Sequence, residues 1–193
     1  MDVPDFPILG SEPVAVELAN TLYGSGARQV DFLRSPEWID LWFSLVGAEH
    51  GLMVTAGLGR DAPRVRELRD CVRHLLSAAA GARAPDPRMV DLLNEYATVV
   101  PTHPRLEWAT DGTRLRRNVD LATGDAAVLG RIAADCIAVL TAPPARSPRR
   151  CTGPGCSMLY VKNHSRRRWC HPSCGHRDRQ ARYHRRRHAS GTP

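Results

Sequence analysis

The sequence predicts an α+β protein: a mainly helical N-terminal domain with one β-hairpin, followed by a small C-terminal module of knuckle, hairpin and helix. Three observations carry this reading. Apolar residues recur at helical spacing behind capping residues through most of positions 1–141. Around Asp111-Gly112 the period shortens to two, the mark of a hairpin. Four of the six cysteines then stand in two close pairs, spaced C-x4-C-x13-C-x3-C.

In chain order, positions 1–12 are rich in proline and acid and read as an irregular leader. Val14, Leu18 and Leu22 form a first helical stripe that ends near Gly24. Ser35-Pro36-Glu37 starts a second helix, with Ser at the cap, Pro at the first position and an acid near the positive dipole end. Its expected apolar face is Trp38, Leu41, Trp42 and Leu45. Asp61 caps a third helix with Val65, Leu68, Val72, Leu75, Leu76 and Ala79 inward, and Asp86-Pro87 starts a fourth with Val90, Leu93, Ala97 and Val100 inward. Leu106, Trp108 and Leu115 alternate around the Asp-Gly turn, and 125–141 returns to helix behind Leu129, Ile132, Ala133, Cys136 and Leu140. Cys71 and Cys136 read as buried small hydrophobes. The expected domains are 1–141, a Pro-rich linker at 142–150, the module at 151–188 and a disordered tail at 189–193.

Two cysteine pairs separated by a dozen or so residues suit a closed, four-thiolate structural zinc site, with Cys151, Cys156, Cys170 and Cys174 as ligands. Neither pair has the C-x-x-C spacing of a redox dithiol. Gly153, Pro154 and Gly155 let the chain turn sharply between the first two thiols. The expected hairpin runs from 157–161 through a polar turn at 162–165 to a returning strand at 166–169, and Cys174 opens a basic helix. The layout is treble-clef-like, and His171 and His176 fall beside the metal.

The net charge of +7 is unevenly placed. From Arg149 onward there are twelve Lys or Arg and one acid, a net +11; the first 148 residues carry fifteen Arg against nineteen acids, a net −4. Such asymmetry is a footprint of nucleic-acid binding. Arg179, Arg182 and Arg186 fall along one helix face with Arg185 beside them, and zinc would hold Arg166, Arg167, Arg168 and Arg177 on the same scaffold. DNA is preferred to RNA because stacking aromatics are few: Tyr160, Trp169 and Tyr183.

The stretch RRRWCHPSCGHR resembles the signature of the CGNR zinc finger family, in which Arg-Trp-Cys leads to Cys-Gly-Asn-Arg. The four cysteines match that family's metal positions, and Gly175 and Arg177 match its Gly and Arg. His176 stands where the family has Asn, and Lys162-Asn163 where relatives show an acid. VELANTLYG resembles the opening of the ABATE domain, with Glu17, Asn20 and Thr21 in place. The resemblance implies a bacterial transcription regulator with an N-terminal sensor for a small-molecule effector, and the composition suits a cytoplasmic protein. Asn20 then has two readings, a structural hydrogen bond or a contact in the sensor pocket.

Two functional readings follow: a zinc-dependent DNA-binding regulator whose helical domain senses a ligand or forms a homodimer, or an RNA- or protein-docking adaptor. An enzyme is not expected, because Glu49-His50, His74 and His103 have no nucleophile or partner at diagnostic spacing. No apolar run approaches the length of a membrane span.

Overall fold

In a computed structural model, the structure describes residues 5–52, 54, 57–100, 102–108, 114–120 and 124–189, with 102–108, 114–120, 188 and 189 described as backbone. At its centre is α1 (Val14–Asn20), all seven residues of which are buried. A helix buried on every side can hold polar groups only where they are hydrogen-bonded, and Glu17 and Asn20 both are. Around α1 pack α3 (Ala62–Ala80) and α5 (Asp125–Leu140). Next come α2 (Pro36–Gly47) and α4 (Pro87–Thr98), the latter against α3 and α5. A short antiparallel pair, β1 (Leu22–Tyr23) and β2 (Val30–Asp31), follows α1, so the first stripe stops before Leu22.

The helix starts follow their caps. Ser35 accepts from the Trp38 amide at 3.4 Å and Asp86 from the Arg88 amide at 3.0 Å. Asp61 occupies the cap position of α3 without a side-chain bond to a helix amide; its carboxylate instead pairs with the Arg64 side chain in the first turn at 3.5 Å. In α2 the buried stripe is Ile39, Trp42, Phe43 and Val46, and Leu45 is 47% exposed. Two stripes one residue apart share Trp42, and the one carrying the β-branched residues and Phe43 faces the core. Along α3 and α4 similar shifts leave Ala79 and Val90 outside the core, while Ala78 and Tyr96 enter it. Cys71 and Cys136 are buried free thiols, as expected; burial pushes Cys71 up to about 11 and raises Cys136 further.

The hairpin between α4 and α5 is β3 (Thr102–Trp108) and β4 (Arg114–Asp120), in register from Thr102↔Asp120 to Trp108↔Arg114. Its Asp111-Gly112 turn lies outside the described residues.

The C-terminal module departs from expectation in one respect. Its hairpin is not 157–161 with 166–169. Instead β6 (Leu159–Val161) pairs with β5 (Pro148–Arg150), which lies within the stretch expected to be a linker. The cysteine knuckle is thus the loop of that hairpin, and residues 166–169 are irregular and form no strand. The last element, α6 (Pro172–Ala189), starts two residues ahead of Cys174. No helix among the described residues is long and apolar enough to cross a membrane.

Candidate metal centre and its seat on the helical body

Side chains on a strand alternate between faces, and β6 uses both. Leu159 joins the main helical core and Val161 packs against it, whereas Met158 and Tyr160 join a second cluster with Cys151, Cys170 and Cys174. One strand therefore welds the cysteine site to the helical body.

The four thiol sulfurs of Cys151, Cys156, Cys170 and Cys174 all lie within 4.8 Å of one another. Cys156–Cys170 and Cys170–Cys174 are separated by 3.7 and 3.6 Å. A tetrahedron with Zn–S bonds of about 2.3 Å has edges of about 3.8 Å, so these separations fit one zinc ion and are far beyond a disulfide bond. The Cys151 thiol is held low by hydrogen bonds from the Cys156 and Cys170 thiols, and Cys156 is correspondingly pushed up to about 12. Four thiolates this close repel one another, and a bound dication is what lets all four ionise. Donors already face the sulfurs. Gly153 and Cys170 amides point at Cys151 Sγ at 3.4 and 3.5 Å, and Arg177 Nη2 lies 3.1 Å from Cys174 Sγ. The four cysteines are positioned to bind one metal ion, and the set fits a closed structural zinc.

Two glycines explain why the signature residues stand where they do. A Cβ on Gly153 would lie 2.8 Å from the Cys174 Cβ, so the knuckle can lie against the helix start only without a side chain. A Cβ on Gly175 would lie 2.9 Å from the Trp169 ring, so the Trp-Cys and Cys-Gly halves of the signature are steric partners.

The outer edge of β6, the one not paired with β5, is filled by side chains. Asn20 Oδ1 accepts from the Leu159 amide at 2.8 Å, and Asn20 Nδ2 donates to the Leu159 carbonyl at 3.0 Å. The Val161 amide donates to Glu12 Oε2 at 2.7 Å, and Arg167 Nη1 donates to the Val161 carbonyl at 3.0 Å. Glu12 is 2% exposed and its other oxygen pairs with Arg167. The Gly24 amide donates to Ser157 Oγ at 2.7 Å, and Glu17 holds the leader through the Leu9 and Gly10 amides.

Of the two readings of Asn20, the structural hydrogen bond is the one observed: both ends of its amide are engaged by Leu159. Arg167, expected with its neighbours on the nucleic-acid face, is instead turned inward. It bonds Glu12 and the carbonyls of Val161, Trp169 and Cys170, and stacks 4.7 Å over the Tyr160 ring. Glu12 falls in the stretch that the sequence predicts as an irregular leader, and its separation of 155 residues from Arg167 leaves no local signal.

The other candidate arginines lie outside. Arg166 and Arg168 are exposed and line a cavity of about 410 Å³ with His164, His171 and Trp169. The Trp169 Nε1 is buried without a hydrogen-bond partner among the described residues. Arg177 is exposed beside Cys174. Along α6, Arg179, Arg182 and Arg186 line a shallow depression with Tyr183, as their i, i+3, i+7 spacing requires. Arg182 also pairs with Asp178 at 3.0 Å, and Arg185 is exposed.

Comparison with known families finds two matches. The ABATE model, described as "Putative stress-induced transcription regulator", matches residues 12–143. The CGNR zinc finger model matches residues 148–187 and so takes in β5, in keeping with the hairpin observed. A search of curated proteins finds no match. With a match over 12–143 and the cysteine site built as described, the chain belongs to the ABATE family and carries a CGNR zinc finger.

Proposed function

We propose that the protein is a zinc-dependent, DNA-binding transcription regulator of the cytoplasm. In this reading the zinc finger contacts DNA, the helical body senses or dimerises, and no catalysis is assigned to either. The observation that carries it is how the arginines divide. Arg167 is turned inward to fasten the module, while Arg166, Arg168, Arg177, Arg179, Arg182, Arg185 and Arg186 are exposed on the zinc-ordered scaffold. A solvated tail needs no such scaffold; a polyanion partner gives both the charge and its fixed placement a use. Phosphate contacts from such a surface supply affinity, and Arg contacts to base edges supply sequence preference if α6 enters a groove.

The test is selection of random DNA duplexes by the zinc-loaded protein at physiological salt, followed by sequencing. An enriched motif is the expected result, and a palindromic one indicates a homodimer. Retention without enrichment means phosphate binding alone and turns the reading toward an RNA- or protein-docking adaptor.

A further inference from the structure

Between the C-terminal half of α3, α4 and the end of α5 lies a cavity of about 370 Å³. Its walls are apolar: Leu75 and Ala79 of α3, Val90 and Leu93 of α4, Ile137 and Leu140 of α5. Small-molecule sites occupy about 300–1,000 Å³ and combine apolar walls with a few polar groups that fix orientation. Here the polar groups are Arg83, Asn94 and Thr141. The Thr141 hydroxyl donates to the Ile137 carbonyl at 2.8 Å, which leaves its oxygen as an acceptor. The side chains of Arg83 and Asn94 have no hydrogen bond or ion pair among the described residues.

The placement of Arg83 is built into the backbone. The Arg83 amide donates to the Ala78 carbonyl at 3.0 Å, the six-to-one bond of a Schellman end to α3. That motif puts the preceding residue in the left-handed region, where glycine is usual. Here it is Ala82, with φ +49°, the one non-glycine residue of positive φ among the described residues. A left-handed alanine is strained because its Cβ crowds the following carbonyl oxygen, and strain of this kind clusters at functional sites. The turn brings an arginine that has no carboxylate partner among the described residues to an apolar cavity.

We infer that this cavity binds a small amphipathic monoanion: an apolar body between α3, α4 and α5, with one carboxylate on Arg83 and Asn94. The Arg83 charge selects an anion, and the apolar walls select against a hydrated inorganic one. The same helix α3 packs on β5 of the zinc module, and Arg73 of α3 donates to the Ala19 carbonyl beside Asn20. Occupancy at one end of α3 thus bears on the seat of the module. That consequence rests on the regulator reading; the binding itself does not.

The experiment titrates octanoate into the zinc-loaded full chain by calorimetry, with octanol as the uncharged control and no DNA present. Saturable single-site binding of octanoate, at least about tenfold tighter than octanol, is expected. Arg83→Ala brings octanoate down to the level of octanol. Ala79→Trp, at an exposed position of α3, fills the cavity and abolishes binding of both while thermal unfolding stays cooperative. No saturable binding, or binding untouched by Ala79→Trp, overturns the site; loss in Ala79→Trp with full affinity in Arg83→Ala overturns the carboxylate assignment. Because DNA is absent, failure here leaves the proposed function standing, and failure of the duplex selection leaves this site standing.

Discussion

Asn20 at the end of α1 and Leu159 in the zinc finger, 139 residues apart, exchange two hydrogen bonds of 2.8 and 3.0 Å. The Asn20 amide behaves as one more residue of a strand: it donates to and accepts from the open edge of β6. With Glu12 and Arg167 on Val161, it completes the hydrogen bonding of that edge. The finger is therefore seated on the helical body through its backbone.

Asn20→Ala leaves the Leu159 amide and carbonyl buried without partners. The expected cost is about 2–4 kcal/mol, read by urea denaturation of the zinc-loaded protein. Asn20→Asp keeps the acceptor for the amide and places a carboxylate oxygen against the Leu159 carbonyl, so it rescues little. Wild-type stability in both variants would show that the clamp contributes nothing.

Gly175→Ala drives a methyl group into the Trp169 ring at 2.9 Å. Either the ring or the start of α6 moves, and Cys170 and Cys174 flank the two. Competition with a chromophoric chelator should show zinc affinity lowered by about 10- to 100-fold, the usual effect of disturbing the support of metal ligands. Gly10→Ala, where a Cβ meets nothing within 4 Å, serves as a control for affinity, though its positive φ costs some stability.

Removing zinc, by chelation or by Cys151→Ser, should unfold the finger, because at this size the metal supplies much of its folding free energy. Leu159 is shared with the main core, so the helical body should also melt earlier. Hydrogen exchange after chelation would show α1 and β6 losing protection together. An intact finger without metal would remove the zinc assignment.

Glu17 and Asp135 are each raised, first by burial, and only partly offset by the amides they accept, from Leu9 and Gly10 and from Ala15. A raised carboxyl binds its proton more tightly folded than unfolded, so each group stabilises the fold in its protonated form. That contribution fades as pH rises from the ordinary values of 4.5 and 3.8 through the raised folded values. The difference in stability between wild type and Glu17→Gln should therefore shift against wild type as pH increases across this window. A pH-independent difference would contradict the raised value.

Much of this was legible from local spacing. The cysteine set, the caps at Ser35 and Asp86 and the buried stripe of α5 are patterns contained within about two dozen residues or fewer, which local spacing reports directly. The strand pairing was not. Lys162 to Ser165 looks like a turn, and adjacency favours 166–169 as partner, but the metal ligands force the chain to turn earlier, at the knuckle. That turn brings Pro148–Arg150 alongside β6. The roles of Glu12, Asn20 and Arg167 depend on separations of 139 to 155 residues. Nothing in the run Arg166-Arg167-Arg168 marks the middle one as internal; only the turn at 164–167, closed by the Arg167 amide on the His164 carbonyl, aims it at Glu12.

The division of the arginines is the centre of the account, and a salt titration of duplex binding tests it most directly. Arg182→Ala with Arg186→Ala should keep wild-type stability within about 0.5 kcal/mol and lower the magnitude of the slope of log K against log salt by about 2. Arg167→Ala strips a partner from buried Glu12 and should cost about 3–5 kcal/mol of stability. An unchanged slope in the α6 double variant, or no salt-dependent binding by the zinc-loaded wild type, would contradict DNA recognition by this face.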